Sequence, residues 1–231
     1  MARGKTLAEL VSDLKAETGE STLVSVGIGN LPAIQQKIRR TQETLYDEFD
    51  WPHLKIFVSK TMTAGQRFYD LPTEINYERI LNVAHWYNDL PTPIGRGIGF
   101  DHYSQYNSDA DDRADPVLAW DVRWRSTVEQ IEVWPIPATS GDTIQFEAIR
   151  KLRALTADAD VADLDDRLIV LYAAADILAR QGAKDAQRIA ALALARFNKL
   201  KGLAQAGSPM VTLGGTSQPR KPRDHVTIRV A

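Results

Sequence analysis

Apolar residues follow a helical spacing near the two ends of the chain and alternate with polar residues in the middle. Near the start, four apolar residues recur at the i, i+3, i+4, i+7 spacing of one helix face: Leu7, Leu10, Val11 and Leu14. Thr6 precedes them, Glu9 stands three residues later in the capping-box position, and Gly19 ends the pattern. A first helix is therefore predicted between Thr6 and Gly19.

A second helix is predicted from Asn30, a good N-cap residue, to about Glu48. Pro32 suits its first turn. Its apolar stripe consists of Ile34, Ile38, Leu45 and Phe49. The sequence Trp51-Pro52 stops this helix, and the period changes after it.

From Leu54 the chain predicts about six short strands separated by Gly, Pro, Asn and Asp. The clearest pair lies in residues 128–150, VEQIEVWPIPATSGDTIQFEAIR, where Ile131 and Val133 alternate with polar neighbours and the same period returns after a proline-containing turn. We expect one small antiparallel sheet inserted between helices. The segment 91–116 is too long for a plain connection, and a short helix is possible in it between Phe100 and Asn107.

The helical period returns after Leu155, in two alanine-rich stripes separated by Gly182. They predict an antiparallel helical hairpin, which Asp163 or Asp165 can cap. The expected fold is α+β: a helical bundle with an inserted antiparallel sheet and an extended C-terminal arm. The predicted regions are residues 1–53, 54–154, 155–206 and 207–231.

Composition limits the possible classes of function. The chain has 231 residues, no cysteine and a formal net charge of −2 at pH 7. It therefore has no disulfide, no thiolate metal site and no general attraction for nucleic acid or anionic membranes. The N-terminus lacks the apolar segment of a secretory signal, and no apolar run approaches the length of a membrane span. We expect a soluble protein made in the cytoplasm.

Catalytic and metal-binding patterns are weak. The histidines are far apart in the sequence. The acidic run Asp109–Asp115 resembles the start of a calcium loop, but Ala114 and Trp120 stand where that loop needs Gly and Glu. The glycines of Gly95–Phe100 lack the spacing and the Lys-Ser/Thr of a phosphate-binding loop. No catalytic residue, metal ligand or cofactor is predicted, and we do not expect an enzyme.

Aromatic and proline residues crowd the predicted sheet and its long loop. Aromatic residues of this kind are favoured as interface anchors, although they also fill the core of a sheet. The predicted interface toward another protein or a neighbouring subunit consists of Trp86, Tyr87, Tyr103, Tyr106, Trp134, Pro135 and Pro137. The two prolines fix φ and remove two hydrogen-bond donors, so we expect a rigid docking edge there.

The C-terminal arm has a charge of +3, because it holds four basic residues and Asp224. The basic residues are Arg220, Lys221, Arg223 and Arg229. Three apolar residues alternate with polar ones near the end: Val226, Ile228 and Val230. This arm is either a disordered basic tail or a strand that is added to a partner's sheet edge.

Several motifs resemble, over roughly residues 30–205, those of bacteriophage head-to-tail adaptor proteins, also called connector or neck proteins. The helix exit LYDEFDWPHLK is followed by the G-Q-x-x-Y-D-L-P motif at 65–72 and the W-P-x-P motif at 134–137. An acidic linker and an alanine-rich helical hairpin come next. This order also resembles the tail tubular or tail accessory proteins of short-tailed phages.

The resemblance implies a virion protein without catalysis at the portal vertex. Such a protein forms a ring of itself, expected to hold twelve subunits. The ring sits below the portal protein, lets double-stranded DNA pass through its channel without sequence recognition, and docks the next tail or nozzle protein. In such proteins the helical bundle lies near the portal, the sheet region faces the tail, and a C-terminal arm runs onto the portal.

Two other classes of protein compete with this interpretation. A nucleic-acid-binding module would hold a strand with the basic arm and exposed aromatic residues. A carbohydrate-binding module or enzyme would use Trp120, Trp124 and Trp134 as a platform for sugars.

Overall fold

The structure is a computed structural model that describes residues 3–19, 30–107, 110–125 and 127–205. The first helix, α1, spans Leu7–Thr18 and is capped as predicted: the Thr6 N–H donates to Glu9 Oε2 over 2.8 Å, and the Glu9 N–H donates to Thr6 Oγ1 over 3.3 Å. Gly19 ends the helix at φ 73°, a left-handed conformation that glycine adopts without strain.

Helix α2 spans Leu31–Glu48, with Pro32 in its first turn. Asn30 is the residue before it, but its side chain makes no capping hydrogen bond. The chain turns at Trp51, whose indole is 2% exposed and donates from Nε1 to the Leu45 carbonyl over 2.8 Å. The predicted Trp-Pro stop is therefore a buried hydrogen-bonded corner.

The C-terminal helices are α4, Asp166–Arg180, and α5, Ala186–Gln205. Asp165, one of the two cap residues that the sequence predicts, caps α4 by accepting from the Leu168 N–H over 3.0 Å. Helix α4 contacts α1, α2 and α5. The apolar stripes of all four helices meet in one hydrophobic core, which also includes Trp51 and Ile149.

Among the described residues, eight strands lie between α2 and α4, two more than predicted. They are β1 (Lys55–Thr61), β2 (Phe68–Asp70), β3 (Ile75–Tyr87), β4 (Leu90–Pro93), β5 (Gly95–Arg96), β6 (Ala119–Arg125), β7 (Val128–Trp134) and β8 (Thr143–Arg150). The predicted short helix is α3, Phe100–Tyr103. The α+β class is confirmed.

The strands form two four-stranded sheets rather than the single sheet predicted. The first has the order β1-β8-β3-β4 and the second β2-β7-β6-β5. All pairs are antiparallel except β5 with β6. Consecutive strands β7 and β8 therefore belong to different sheets, and residues 135–142 cross between them. Alternation marks the buried side of each strand, but it does not say with which strand the backbone pairs.

The two sheets pack face to face over a second hydrophobic core. Ile131 and Val133 of β7 and Phe146 of β8 all contribute to it. The sheets are tied to the helices by polar contacts at Tyr46, whose hydroxyl donates to the Arg150 carbonyl and accepts from Asn76 Nδ2, both over 3.0 Å. In the described ranges, no helix is long and apolar enough to cross a membrane.

Candidate docking surfaces

The side of the second sheet that faces away from the first sheet carries a buried carboxylate. Glu132 is 1% exposed, and its oxygens accept from the side chains of Arg67, Arg123 and Tyr103. The distances are 2.7 Å from Arg67 Nε, 2.9 Å from Arg123 Nε and 2.9 Å from the Tyr103 hydroxyl. Burial pushes the pKa of Glu132 upward, but these three donors outweigh it, so its pKa lies below the ordinary value.

Trp134 lies on this same side of the sheet and is covered by the long loop. The ring of Tyr103 meets Trp134 edge-on with centroids 5.0 Å apart, and the Tyr106 ring does so at 6.5 Å. Trp134 Nε1 donates to the His102 carbonyl over 2.7 Å, and the Arg67 guanidinium lies 4.9 Å from its ring centroid. These contacts fix α3 and the first half of the loop on the second sheet.

The prediction that Trp134, Pro135 and Pro137 form an exposed docking edge is therefore wrong. Trp134 is 1% exposed and both prolines are buried. The alternation in β7 correctly places Trp134 opposite to Val133, but the loop buries that side as well. Tyr103 and Tyr106 are half-buried in the same cluster, so these three of the aromatic residues predicted for an interface form an internal core.

The two motifs that carry the adaptor resemblance meet in this region. Gly65, at φ 76°, donates its N–H to the Pro137 carbonyl over 2.9 Å. Strand β2, from the first motif, pairs with β7, which leads into the second. Tyr69 is 3% exposed, and its hydroxyl donates to the Thr63 carbonyl over 3.0 Å. Both motifs therefore build the second sheet and its corner.

The three tryptophans proposed as a sugar platform do not share a surface. Trp120 is 3% exposed in the core between the sheets, whereas Trp134 is buried on the other side of the second sheet. Trp124 is 70% exposed near the end of β6. Trp120 and Trp124 lie on the same side of β6 but differ in burial, and Trp134 lies on the opposite side of the sheet. This structure therefore gives no support to a platform of all three residues.

The exposed face of the first sheet carries two aromatic residues. Phe57 is 67% exposed and Trp86 is 36% exposed, and both register with outward residues of β8. Trp86 Nε1 donates to Gln145 Oε1 over 3.0 Å, which holds the indole on this face. A cavity of about 400 Å³ opens beside Phe57, with Ala84 and Pro93 in its lining. We name Phe57, Trp86 and Gln145 the outer aromatic face.

The remaining predicted interface residue, Tyr87, is half-buried, with its ring centroid 5.7 Å from that of His85. His85 itself is fully buried and faces the core. Trp86 and Tyr87 are thus neighbours in sequence but lie on opposite faces of β3.

The edges of the first sheet are unequal. Strand β4 at one edge contains Pro91 and Pro93, and proline cannot donate to another strand. At the other edge, β1 has no proline and pairs only with β8 among the described strands. The edge-blocking role that the sequence suggested for Pro135 and Pro137 thus falls to Pro91 and Pro93.

Sequence reasoning also missed several exposed apolar residues outside the outer aromatic face. On the sheets and their loops these are Leu90, Phe100, Leu118 and Val128, and on α5 they are Leu192, Leu194 and Leu203. The hydrophobic pattern gave only a weak signal for them, because it cannot show which apolar positions remain uncovered.

No group of His, Asp and Glu side chains that could hold a metal occurs in the described part of the chain. Of the acidic run, Asp111 pairs with Arg113 over 2.7 Å, and Asp115 accepts from the Thr139 N–H over 2.9 Å. Asp111 thus pairs within its own loop, whereas Asp115 binds the segment that crosses between the two sheets. The residues predicted for the portal-binding arm all lie beyond residue 205 and are outside the described residues.

A packed α+β fold with exposed apolar faces and structural charge clusters is typical of a protein that works through docking surfaces. The model of the SU10 adaptor protein family matches residues 5–218, and the chain belongs to this family. It is therefore a bacteriophage adaptor protein and a component of the virion. No curated protein matches the sequence.

Proposed function

We propose that this adaptor joins the portal protein to the next tail component as a ring of identical subunits that lets double-stranded DNA pass. The observation that carries the proposal is the family match over residues 5–218, nearly the whole chain. A ring of twelve subunits, and the tail tubular or tail accessory type of short-tailed phages, belong to the same proposal.

The structure supports this role because it provides separate surfaces on a rigid body. The helices and the sheets each have their own core, and Tyr46, Asn76 and Arg150 hydrogen-bond across their junction. We assign the helices to the portal side and the outer aromatic face to the tail side. The proposed role requires no catalytic group.

The basic arm, from Arg220 to Val230, is assigned to the portal. With the arm at +3 and the whole chain at −2, the rest of the chain carries −5. The arm is thus the part of the chain best suited to an acidic surface on a partner.

The test is size-exclusion chromatography with multi-angle scattering, with and without purified portal. We expect the adaptor alone to be a monomer or loose oligomer and a portal-bound ring to form in the mixture, because each bound copy raises the effective concentration of the next joint. Absence of any complex with the portal of its own phage would refute the proposal.

A further inference from the structure

Helix α5 presents an apolar face to solvent. Leu192 and Leu203 are 42% and 56% exposed, and they lie on the same side of the helix because they are about three turns apart. Ala195 is exposed on this side as well, one turn after Leu192. A face of leucines and small residues, on a helix about 30 Å long, allows another helix to approach closely.

The charges around this face have one sign. Helix α5 contains no Asp or Glu, and its basic residues are Arg188, Arg196, Lys199 and Lys201. Arg196 is paired with Asp165 over 2.7 Å, and Arg188 with Asp185 over 3.3 Å. Lys199 is exposed and has no salt bridge within the described residues. The side of α5 that carries Leu192 and Leu203 is therefore basic at Lys199.

A groove of complementary character lies between α1 and α4. It has a volume of about 360 Å³, and Ala16, Val170 and Leu171 form its apolar part. Its acidic residues are Asp13, Glu17 and Asp166, and its basic ones are Lys5 and Arg167. Lys5 already contacts Asp13. Together with Glu9, the acids Asp13 and Glu17 follow an i, i+4, i+8 spacing that places them on one face of α1.

Helix α5 and the groove lie on different sides of α4. Val170 lines the groove, whereas the ring of Tyr172 contacts that of Phe197 on α5, with centroids 6.3 Å apart. At 3.6 residues per turn, Val170 and Tyr172 point about 160° apart around α4. A contact between the α5 face of one copy and the groove of another is therefore head-to-tail, the kind of contact that closes into a ring.

We propose that the exposed face of α5 packs into the α1–α4 groove of the next copy of this chain and forms the joint between ring subunits. The inference rests on the proposed ring. Leucines of α5 fill the apolar groove while Lys199 faces the acids of α1. Packing of α5 against α5 of another copy would bring basic residues together, which disfavours a two-fold contact.

The chain has no cysteine, so introduced cysteines report this contact without background. Ala16→Cys on α1 and Ala195→Cys on α5 both replace exposed residues. The portal-bound protein is treated with a short bis-maleimide cross-linker. We expect cross-linked pairs when the two single variants are mixed, none from either variant alone, and a ladder of higher species from the double variant.

A further substitution tests whether the cross-links come from the proposed contact or from an accidental one. Leu192→Glu in the double-cysteine chain should abolish the ladder, whereas the matched Leu118→Glu, which changes a 50% exposed leucine on the sheet side, should keep it. Thermal melting checks that both fold. Two outcomes would refute the proposed contact between α5 and the groove: a main product from Ala195→Cys alone, or no ladder from the double variant on the portal. Absence of portal binding by the unmodified chain would instead refute the proposed function.

Discussion

Single side chains hold the long loop of this adaptor in place, and Glu132 is the most important of them. It joins β7 to Arg67 before β2, to Arg123 on β6 and to Tyr103 in the loop. A carboxylate that is 1% exposed is stable only while such donors remain. The loop and the two motifs that meet beneath it therefore depend on one ionised group.

Glu132→Gln should lower the free energy of unfolding by about 3 kcal/mol, because a buried ion-pair network loses its charge while its arginines stay in place. The side chains of Arg67 and Arg123 are 27% and 40% exposed, so water still solvates their charges when Glu132 is neutralised. We therefore expect a loss of stability at the low end of the range for buried ion pairs. Urea unfolding measures it. The control Glu147→Gln, on the outer face of the first sheet, should change stability by less than about 1 kcal/mol. Equal losses in the two variants would contradict this role of Glu132.

His85 should make stability depend on pH. Burial lowers the pKa of His85 below its ordinary value of 6.5, although the nearby carboxylates of Asp142 and Asp115 act in the opposite direction. The unfolded chain therefore takes up a proton at a higher pH than the folded chain. The contribution of neutral His85 to the free energy of unfolding is fully present above pH 6.5. Below pH 6.5 this contribution falls by up to about 1.4 kcal/mol per pH unit, until the pH reaches the folded-state pKa of His85.

Urea unfolding between pH 7 and pH 5 checks this, with His85→Gln expected to give a shallower decline than the unmodified protein. Asp142→Asn is the matched control: it removes the carboxylate 3.6 Å from His85 Nε2 and should extend the decline to lower pH. An unchanged slope in His85→Gln would show that other groups cause the dependence.

At the scale of elements, each face of the sheets has a distinct environment. The facing sides of the two sheets form the common core, the long loop covers part of the far side of the second sheet, and the outer aromatic face of the first sheet stays open. Pro91 and Pro93 block one edge of that open sheet, so we expect its face rather than that edge to receive a partner.

Phe57→Ser combined with Trp86→Ala should weaken attachment of the next tail component at least ten-fold, since the two exposed rings are the large apolar groups of this face. Stability should change little, because Phe57 is 67% exposed. The measurement is the amount of tail component on assembled particles and the infectious titre. Trp124→Ala, an exposed tryptophan of the other sheet, is the control, and an equal effect there would argue against a specific face.

At the scale of the whole molecule, we expect function to be divided between the described body and the C-terminal arm. The described body has a core among its helices, a core between its sheets and a polar junction that joins the two parts. Hydrogen bonds at the junction hold the helices and the sheets together. We therefore expect a force that a partner exerts on the helices to be transmitted to the sheets.

Deletion of residues 208–231 should leave the melting temperature within a few degrees and weaken portal binding strongly. Circular dichroism and a portal pull-down measure the two effects. Arg220→Glu with Arg223→Glu is a milder variant that keeps the chain length and should weaken binding in a salt-dependent way. Loss of soluble expression on deletion would show that the arm is part of the fold.

The sequence by itself determined the local structure. The Thr6–Glu9 cap, the Asp165 cap, the left-handed Gly19 and the buried stripes of the helices all follow from hydrogen bonds and spacings within a few residues. The alternation in β7 correctly placed Ile131 and Val133 in the core. Local patterns also carried the resemblance that the family match confirmed at the level of a phage adaptor.

Only the tertiary structure decided which strands pair and which aromatic residues stay exposed. Trp134 and Glu132 occupy a polar-looking face of β7, yet they are buried because Tyr103 and Arg67, 29 and 65 residues away in sequence from Glu132, fold over that face. Phe57, by contrast, is a large apolar residue in a strand with alternating burial, yet no other segment that the structure describes covers it. The alternation of side chains along a strand is set by the geometry of its own backbone. Whether a side chain is buried depends on segments far away in sequence, and the packing of the whole chain decides whether these segments cover it.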